Sequence, residues 1–251
     1  MTKDELFNRV RELREEGRAP KDIARALGVR PAVVTPLVRS IAQQAAPAEP
    51  ELVGCWVSPG WSAGLSVHGH KDWPDGGQPG SGANGLAGVV VARRHRLQKV
   101  SVCGYLVDVY CLGVKDALGP RTMDERELPA FLRRFFSTFD VDEAGGPWSV
   151  PVPLDLARHL VWGAVDYARE LGFQPAPDFQ RAAGHLGPWE EASAITFGQD
   201  GMPMYVQGPY DDPHKVIRTL AKSVGEGNFH FLIVADEWTE EPRPSRRRRA
   251  L

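Results

Sequence analysis

The sequence predicts an α+β protein with a small trihelical head, and three observations carry that reading. Helical spacing of apolar residues recurs in the first 45 residues. Beyond them, strands stand before and after a block of helices, with no regular strand-helix alternation. The 251 residues divide accordingly into a head at 1–45, a linker at 46–50, a body at 51–239 with mainly antiparallel strands, and a basic disordered tail at 240–251. With 42% hydrophobic residues, the body can bury a core of its own.

In the head, Leu6, Val10 and Leu13 form one stripe of a helix over 3–16. Next comes Arg18 to Gln44, RAPKDIARALGVRPAVVTPLVRSIAQQ. Pro20 suits a first helical turn, Ile23 and Leu27 share one face at i,i+4, and Gly28 can take the positive φ that stops a helix. Pro36 lacks an amide hydrogen. A third helix is therefore expected to start late, with Thr35 as N-cap and Pro36 as first residue of a helix to Gln44, and with 31–34 as a preceding turn. The Ile23-Ala24…Leu27-Gly28-Val29 core resembles the helix-turn-helix family in its homeodomain-like form. That resemblance covers about the first 45 residues and implies DNA binding and transcription regulation. Residues 17–45 also carry five basic groups against the single acid Asp22, which favours attraction to phosphate. Lys21, Arg25, Arg30, Thr35 and Arg39 are the candidate nucleic-acid contacts.

The net charge of −2 hides an asymmetry. The head holds nine basic and six acidic groups, residues 46–239 hold sixteen and twenty-four, and the tail holds five and two. Arg246 to Arg249 in the tail add a sequence-independent attraction to nucleic acid. The first ten residues lack the apolar core of a signal peptide, and no later run is long and apolar enough for a membrane span, so a cytoplasmic protein without membrane contact is expected. The three cysteines, Cys55, Cys103 and Cys111, are odd in number and lie in apolar runs, which predicts reduced buried thiols.

The body opens with two expected strands, 51–57 and 61–67, joined by Ser58-Pro59-Gly60. A Gly- and Pro-rich loop follows over 68–88, whose stretch from Gly69 to Leu86 is expected to be the most mobile internal segment, with Trp73 and Leu86 as its large apolar groups and Trp73 as the anchor if it orders on a ligand. Strands at 88–95 and 99–110 are expected to pair as a hairpin turned at Arg93 to Arg96. A helix over 124–140, opened by a capping acid, carries the stripe Phe131, Phe135, Phe136 and Phe139. That stripe is wide enough to suggest a partner surface and a homo-oligomer. Further helices are expected at 154–171, ended by Gly172, and at 177–186. A hairpin of 194–197 with 204–207 turns at Asp200-Gly201, and a helix over 211–224 and a buried strand over 229–235 end the body. His185 and His230 then fall at a helix end and in a buried strand, as satisfied structural residues.

The densest polar set in an apolar region is Leu106 to Ala117, LVDVYCLGVKDA. This run, with LGF at Leu171, ITFG-x-DG at Ile195 and GNFHF at Gly227, loosely resembles an uncharacterised bacterial family, and the resemblance implies no activity. Asp108, Lys115 and Asp116 are the candidate catalytic residues for a metal-dependent nuclease, although Gly113 stands where that chemistry wants a carboxylate. The alternative is an Asp tying a strand end to backbone amides. His68 and His70 are candidate metal ligands, with Asp72 or Cys55 as possible partners. No phosphate loop, nucleophile elbow or dinucleotide fingerprint is present, and no cofactor is implied. Three functions remain open: a DNA-binding regulator with a sensing or oligomerising body, a nucleic-acid-processing enzyme, and a non-catalytic protein-interaction scaffold.

Overall fold

The computed structural model describes residues 3–16, 18–44, 49–74, 85–139 and 147–233. Residues 46–48 of the linker, most of the Gly-rich loop (75–84) and the tail with Arg246 to Arg249 lie outside the described residues. The chain forms two compact units, Met1–Glu49 and Pro50–Leu251, a boundary that falls inside the expected linker.

In the first unit, α1 (Lys3–Glu15), α2 (Pro20–Ala26) and α3 (Pro31–Gln44) surround a small core of Val10, Leu13, Ile23, Ala24 and Val34. Pro20 occupies the first turn of α2, and Gly28 takes a φ of 65° after the helix stops. The Val29 amide then donates to the Ala24 carbonyl at 3.0 Å, folding the chain back toward α3. The late start expected for the third helix is corrected: α3 begins at Pro31 and runs through Pro36. Proline at this place removes one amide donor early in the helix. Val34, Leu37, Val38 and Ile41 all pack into the three-helix core, and that burial outweighs the missing bond. Thr35 is consequently no N-cap, and its hydroxyl donates back to the Pro31 carbonyl at 2.9 Å.

The second unit is α+β. Its five-stranded antiparallel sheet has the order β5-β4-β3-β1-β6, formed by β1 (Leu52–Val57), β3 (Leu86–Arg96), β4 (Lys99–Asp108), β5 (Gly113–Asp124) and β6 (Val150–Val152). Successive residues of the central strands are buried on opposite faces. Val89, Val91, Cys103, Tyr105 and Val107 pack with Leu156, Leu160, Val161 and Ala164 of α5 (Leu154–Glu170). On the other face, Val90, Ala92, Val100 and Val102 meet Leu128, Leu132 and Phe136 of α4 (Leu128–Phe136). Helices thus cover both sides, which explains why β3 reads as a nearly unbroken apolar run.

The phenylalanine stripe lies on this sheet. An added Cβ at Gly104 would sit 2.7 Å from Phe135, and one at Gly88 2.5 Å from Phe139, so the two glycines make the hollow that the rings fill. Phe136 is fully buried, and Phe131, Phe135 and Phe139 pack against the same cluster. The stripe therefore has an internal partner. α4 is preceded by a 3-10 turn, Glu125–Glu127, with a capping box between Asp124 and Glu127.

Several expected elements differ. The expected strand over 61–67 shrinks to β2 (Ser66–Val67), because Gly60 and Gly64 adopt φ of 74° and 71° and Gly64 lies against the Tyr110 ring. β2 pairs with β7 (Ile195–Thr196), not with β1. The hairpin of 88–95 with 99–110 forms, but Arg93 to Arg96 belong to β3 and the reversal falls at Leu97-Gln98, with Gln98 at a φ of 59°. Arg93 is buried, and its guanidinium donates to the carbonyls of His185 (2.7 Å) and Pro50 (2.8 Å).

The helix expected over 177–186 is α6 (Phe179–Ala182) plus a 3-10 turn, Ala183–His185. Asp200-Gly201 does make its turn, yet β7 and β8 (Met204–Val206) do not pair with each other. The Met204 amide is taken by the Tyr110 carbonyl, and β8 pairs in parallel with β9 (His230–Leu232). β9 is exposed where a buried strand was expected, since its sheet has only two strands and it is β8, through Tyr205, that packs into the core. α7 (Pro213–Ser223) packs Val216 and Leu220 on Cys111, Leu171 and Tyr205. Among the described residues, no helix is long and apolar enough to cross a membrane.

The sharpest packing constraint is at Gly113, which has a φ of 68° and whose added Cβ would lie 2.8 Å from both the Ala164 carbonyl oxygen and the Ala168 Cβ of α5. Gly113→Ala is expected to cost roughly 2–4 kcal/mol in urea unfolding, from positive-φ strain and displacement of α5 together. Gly184→Ala, whose Cβ meets nothing within 4 Å, is the matched control and should stay within about 0.5 kcal/mol of the native chain.

Candidate functional site

Three groups of candidate side chains are placed by these elements. On the first unit, Lys21, Arg25, Arg30 and Thr35 are all exposed. Arg25 faces Asp22 at 3.6 Å, with both side chains largely in solvent, so the pair contributes little. Among the described residues, Lys21 and Arg30 have no ion pair. Arg39 lies on α3, and its side chain is outside the described residues.

The Asp108, Lys115 and Asp116 set surrounds the turn between β4 and β5, and each member has its own partners. Asp108 is buried, and one carboxylate oxygen accepts the amides of Tyr110 (3.0 Å) and Cys111 (2.9 Å), which fastens the turn. Burial pushes its carboxyl up to about 6, against the opposing pull of Lys115 and the donated amides. Lys115 donates to Asp211 at 2.6 Å, and the same Asp211 oxygen accepts the Gly208 amide at 2.8 Å. Asp116 faces outward, with an oxygen accepting the Ala117 amide at 2.8 Å.

Asp211 is the member that the sequence reading missed. Its signal was the doublet Asp211-Asp212 before Pro213: Asp212 caps α7 by accepting the Lys215 amide at 3.0 Å, and Asp211 is left for Lys115. Buried near this set, the hydroxyls of Tyr167 and Tyr205 have no hydrogen-bond partner among the described residues.

The two histidines of the Gly-rich segment separate. His68 Nε2 lies 2.9 Å from the Thr196 hydroxyl across the β2–β7 pair. His70 stacks on Trp73, with ring centroids 4.0 Å apart and planes at 17°. His70, Asp155 and His159 bring one possible ligand atom each within 4.8 Å of the others. The groups gathered beside His70 are thus Asp155 and His159, and not Asp72 or Cys55. Cys55 is buried in the core, which pushes its thiol up to about 12, and Asp72 is exposed outside the group. The spacing Asp155-x-x-x-His159 puts both side chains on one face of the first turns of α5, a signal present in the sequence but not tied to His70.

His159 is buried, and its Nδ1 accepts the Ala194 amide at 2.9 Å. Its Nε2 lies 3.8 Å from one Asp155 oxygen, and His70 Nδ1 lies 3.8 Å from the other. Burial lowers the His159 pKa, and the Trp189 ring meets the imidazole edge-on at 4.9 Å. His185 is held by the Ser101 hydroxyl at 3.0 Å, while His230 lies on the exposed β9 and not in a buried strand. The chain matches no protein-family model, no curated protein and no solved structure.

The Asp108 environment sets a pH dependence. Its carboxyl rises from 3.8 to about 6 on folding, so between those values the folded chain keeps a proton that the unfolded chain has released. The stability carried by this group is full below pH of about 4 and falls as pH rises through 6. The unfolding free energy of the native chain minus that of Asp108→Asn should therefore fall by roughly 1–3 kcal/mol from about pH 4 to about pH 7. Denaturant curves of both chains at several pH values measure it. A pH-independent difference would contradict the assignment.

Proposed function

We propose that the chain is a DNA-binding regulatory protein, in which the first unit is a helix-turn-helix and the α+β unit senses a signal or joins copies of the chain. The observation that carries this reading is the α2–turn–α3 arrangement, reversed at Gly28, with the exposed cations Lys21, Arg25 and Arg30 upon it. A positive-φ residue closing a short helix, followed by a longer helix packed across it, is the geometry in which the later helix enters a major groove. Because α3 is unbroken through Pro36, Arg30, Thr35 and Arg39 fall along one helix and its entry. Among the described residues, Lys21, Arg25 and Arg30 have one ion pair, Arg25 with Asp22, so neutralising phosphates costs few existing ion pairs.

Within this reading, Arg30 and Arg39 are the first candidates for backbone or groove contacts, with Lys21, Arg25 and Thr35 beside them. The Arg246 to Arg249 run adds attraction without sequence preference. The nuclease alternative gains no support from the partners of Asp108, Lys115 and Asp116 described above. The scaffold alternative rests on Pro36 within the third helix and on the phenylalanine stripe, and the second of these is weakened because the stripe packs against the sheet.

Fluorescence anisotropy of the full chain with mixed duplex fragments, at low and moderate salt, tests the proposal. Affinity should fall steeply with salt, and Lys21→Ala, Arg25→Ala and Arg30→Ala should each lower the logarithmic salt slope by about one. An absence of binding at low salt, where the phosphate contribution is greatest, overturns it.

A further inference from the structure

We propose that His70 and Asp155 bind a divalent first-row transition ion, with His159 as the positioning residue that orients the Asp155 carboxylate. Two separately anchored segments converge here. The His70 segment is tied down by the β2–β7 pair, by the His68 amide donating to the Ala194 carbonyl at 2.8 Å, and by the Trp73 ring stacked on the imidazole. Asp155 stands in the first turn of α5, which is anchored in the main core. Ligands held this way are arranged before an ion arrives.

The distances fit an ion better than a direct contact. At 3.8 Å, His70 Nδ1 and the Asp155 oxygen are too far apart for a hydrogen bond. Two donors each about 2.1 Å from a tetrahedral ion are roughly 3.4 Å apart, so a small side-chain movement closes on the metal. One imidazole nitrogen and one carboxylate oxygen form a donor set that suits zinc, cobalt or nickel over magnesium or calcium. The His70 and Asp155 side chains are 38% and 53% exposed, which leaves a path of entry and coordination positions for water.

His159 has the same 3.8 Å separation from Asp155, yet its chemistry differs. Its Nδ1 accepts the Ala194 amide hydrogen and therefore carries none. The proton of the neutral ring is on Nε2, the atom that faces Asp155, and a nitrogen bearing hydrogen has no lone pair for a metal. His159 thus points an N–H toward one carboxylate oxygen at 3.8 Å, a gap that the same small Asp155 movement closes to a hydrogen bond when the other oxygen meets the ion, and such bonds from neighbouring groups hold a metal-binding carboxylate in place.

Isothermal titration of the chelator-treated full chain with Zn2+, and visible absorption with Co2+, test the assignment. The native chain should take up one ion per chain at this site, and His70→Ala or Asp155→Asn, both at partly exposed side chains, should abolish that uptake. His159→Gln should weaken binding by about tenfold and leave the Co2+ band positions unchanged, because the atoms on the metal stay the same. Absence of Zn2+ uptake by the native chain overturns the site, as does native affinity in the His70→Ala/Asp155→Asn double variant. A shifted Co2+ spectrum, or complete loss of binding in folded His159→Gln, overturns the positioning role by making His159 a ligand.

Discussion

The second unit depends on one constraint, that its central hairpin must be covered on both faces. β3 and β4 alternate Val89, Val91, Cys103 and Tyr105 on one side with Val90, Ala92, Val100 and Val102 on the other, all fully buried. Each fully buried valine side chain is worth about 1.5–3 kcal/mol relative to exposure, so neither face of the sheet can be left in water. The chain meets this need with α4 on one face and α5 on the other. The fit is tight where it is made by absence: Gly88 and Gly104 give room to the rings of Phe135 and Phe139, and Gly113 lets α5 come within contact of the β4–β5 turn.

The polar groups inside this packing are satisfied by backbone more often than by other side chains. Arg93 gives its guanidinium hydrogens to two carbonyls, Asp108 takes two amides, and Tyr105 donates to the Ala182 carbonyl at 2.7 Å. Such bonds tie neighbouring segments to the sheet without the larger desolvation cost of a fully buried ion pair. Lys115 with Asp211 is the exception, at 18% and 13% side-chain exposure, and it anchors the stretch before α7 to β5. The same economy fixes His159, whose accepted amide decides which nitrogen keeps its hydrogen.

Local patterns determined much of this protein. The helix over 154–171, the capping acid Asp124, the hairpin of β3 with β4 and the positive φ of Gly28 all follow from spacing and from single-residue stereochemistry, which act within a few residues, whereas the helix expected over 124–140 is divided into a 3-10 turn and the shorter α4. The three buried thiols were legible for the same reason.

Pairing partners were decided by the tertiary structure. Whether Ile195–Thr196 joins Met204–Val206 or Ser66–Val67 depends on where the Tyr110 carbonyl lies, and no property of the turn residues encodes that position. Pro36 marks a helix start by its chemistry alone, and only the burial of Val34 and Leu37 on the far side of a three-helix core shows that the helix starts earlier. His70 with Asp155, and Lys115 with Asp211, are joined across 85 and 96 residues of chain. The residue types were readable from the sequence, because side-chain chemistry is local. Their meeting depends on the course of the whole backbone, so only the folded chain could determine it.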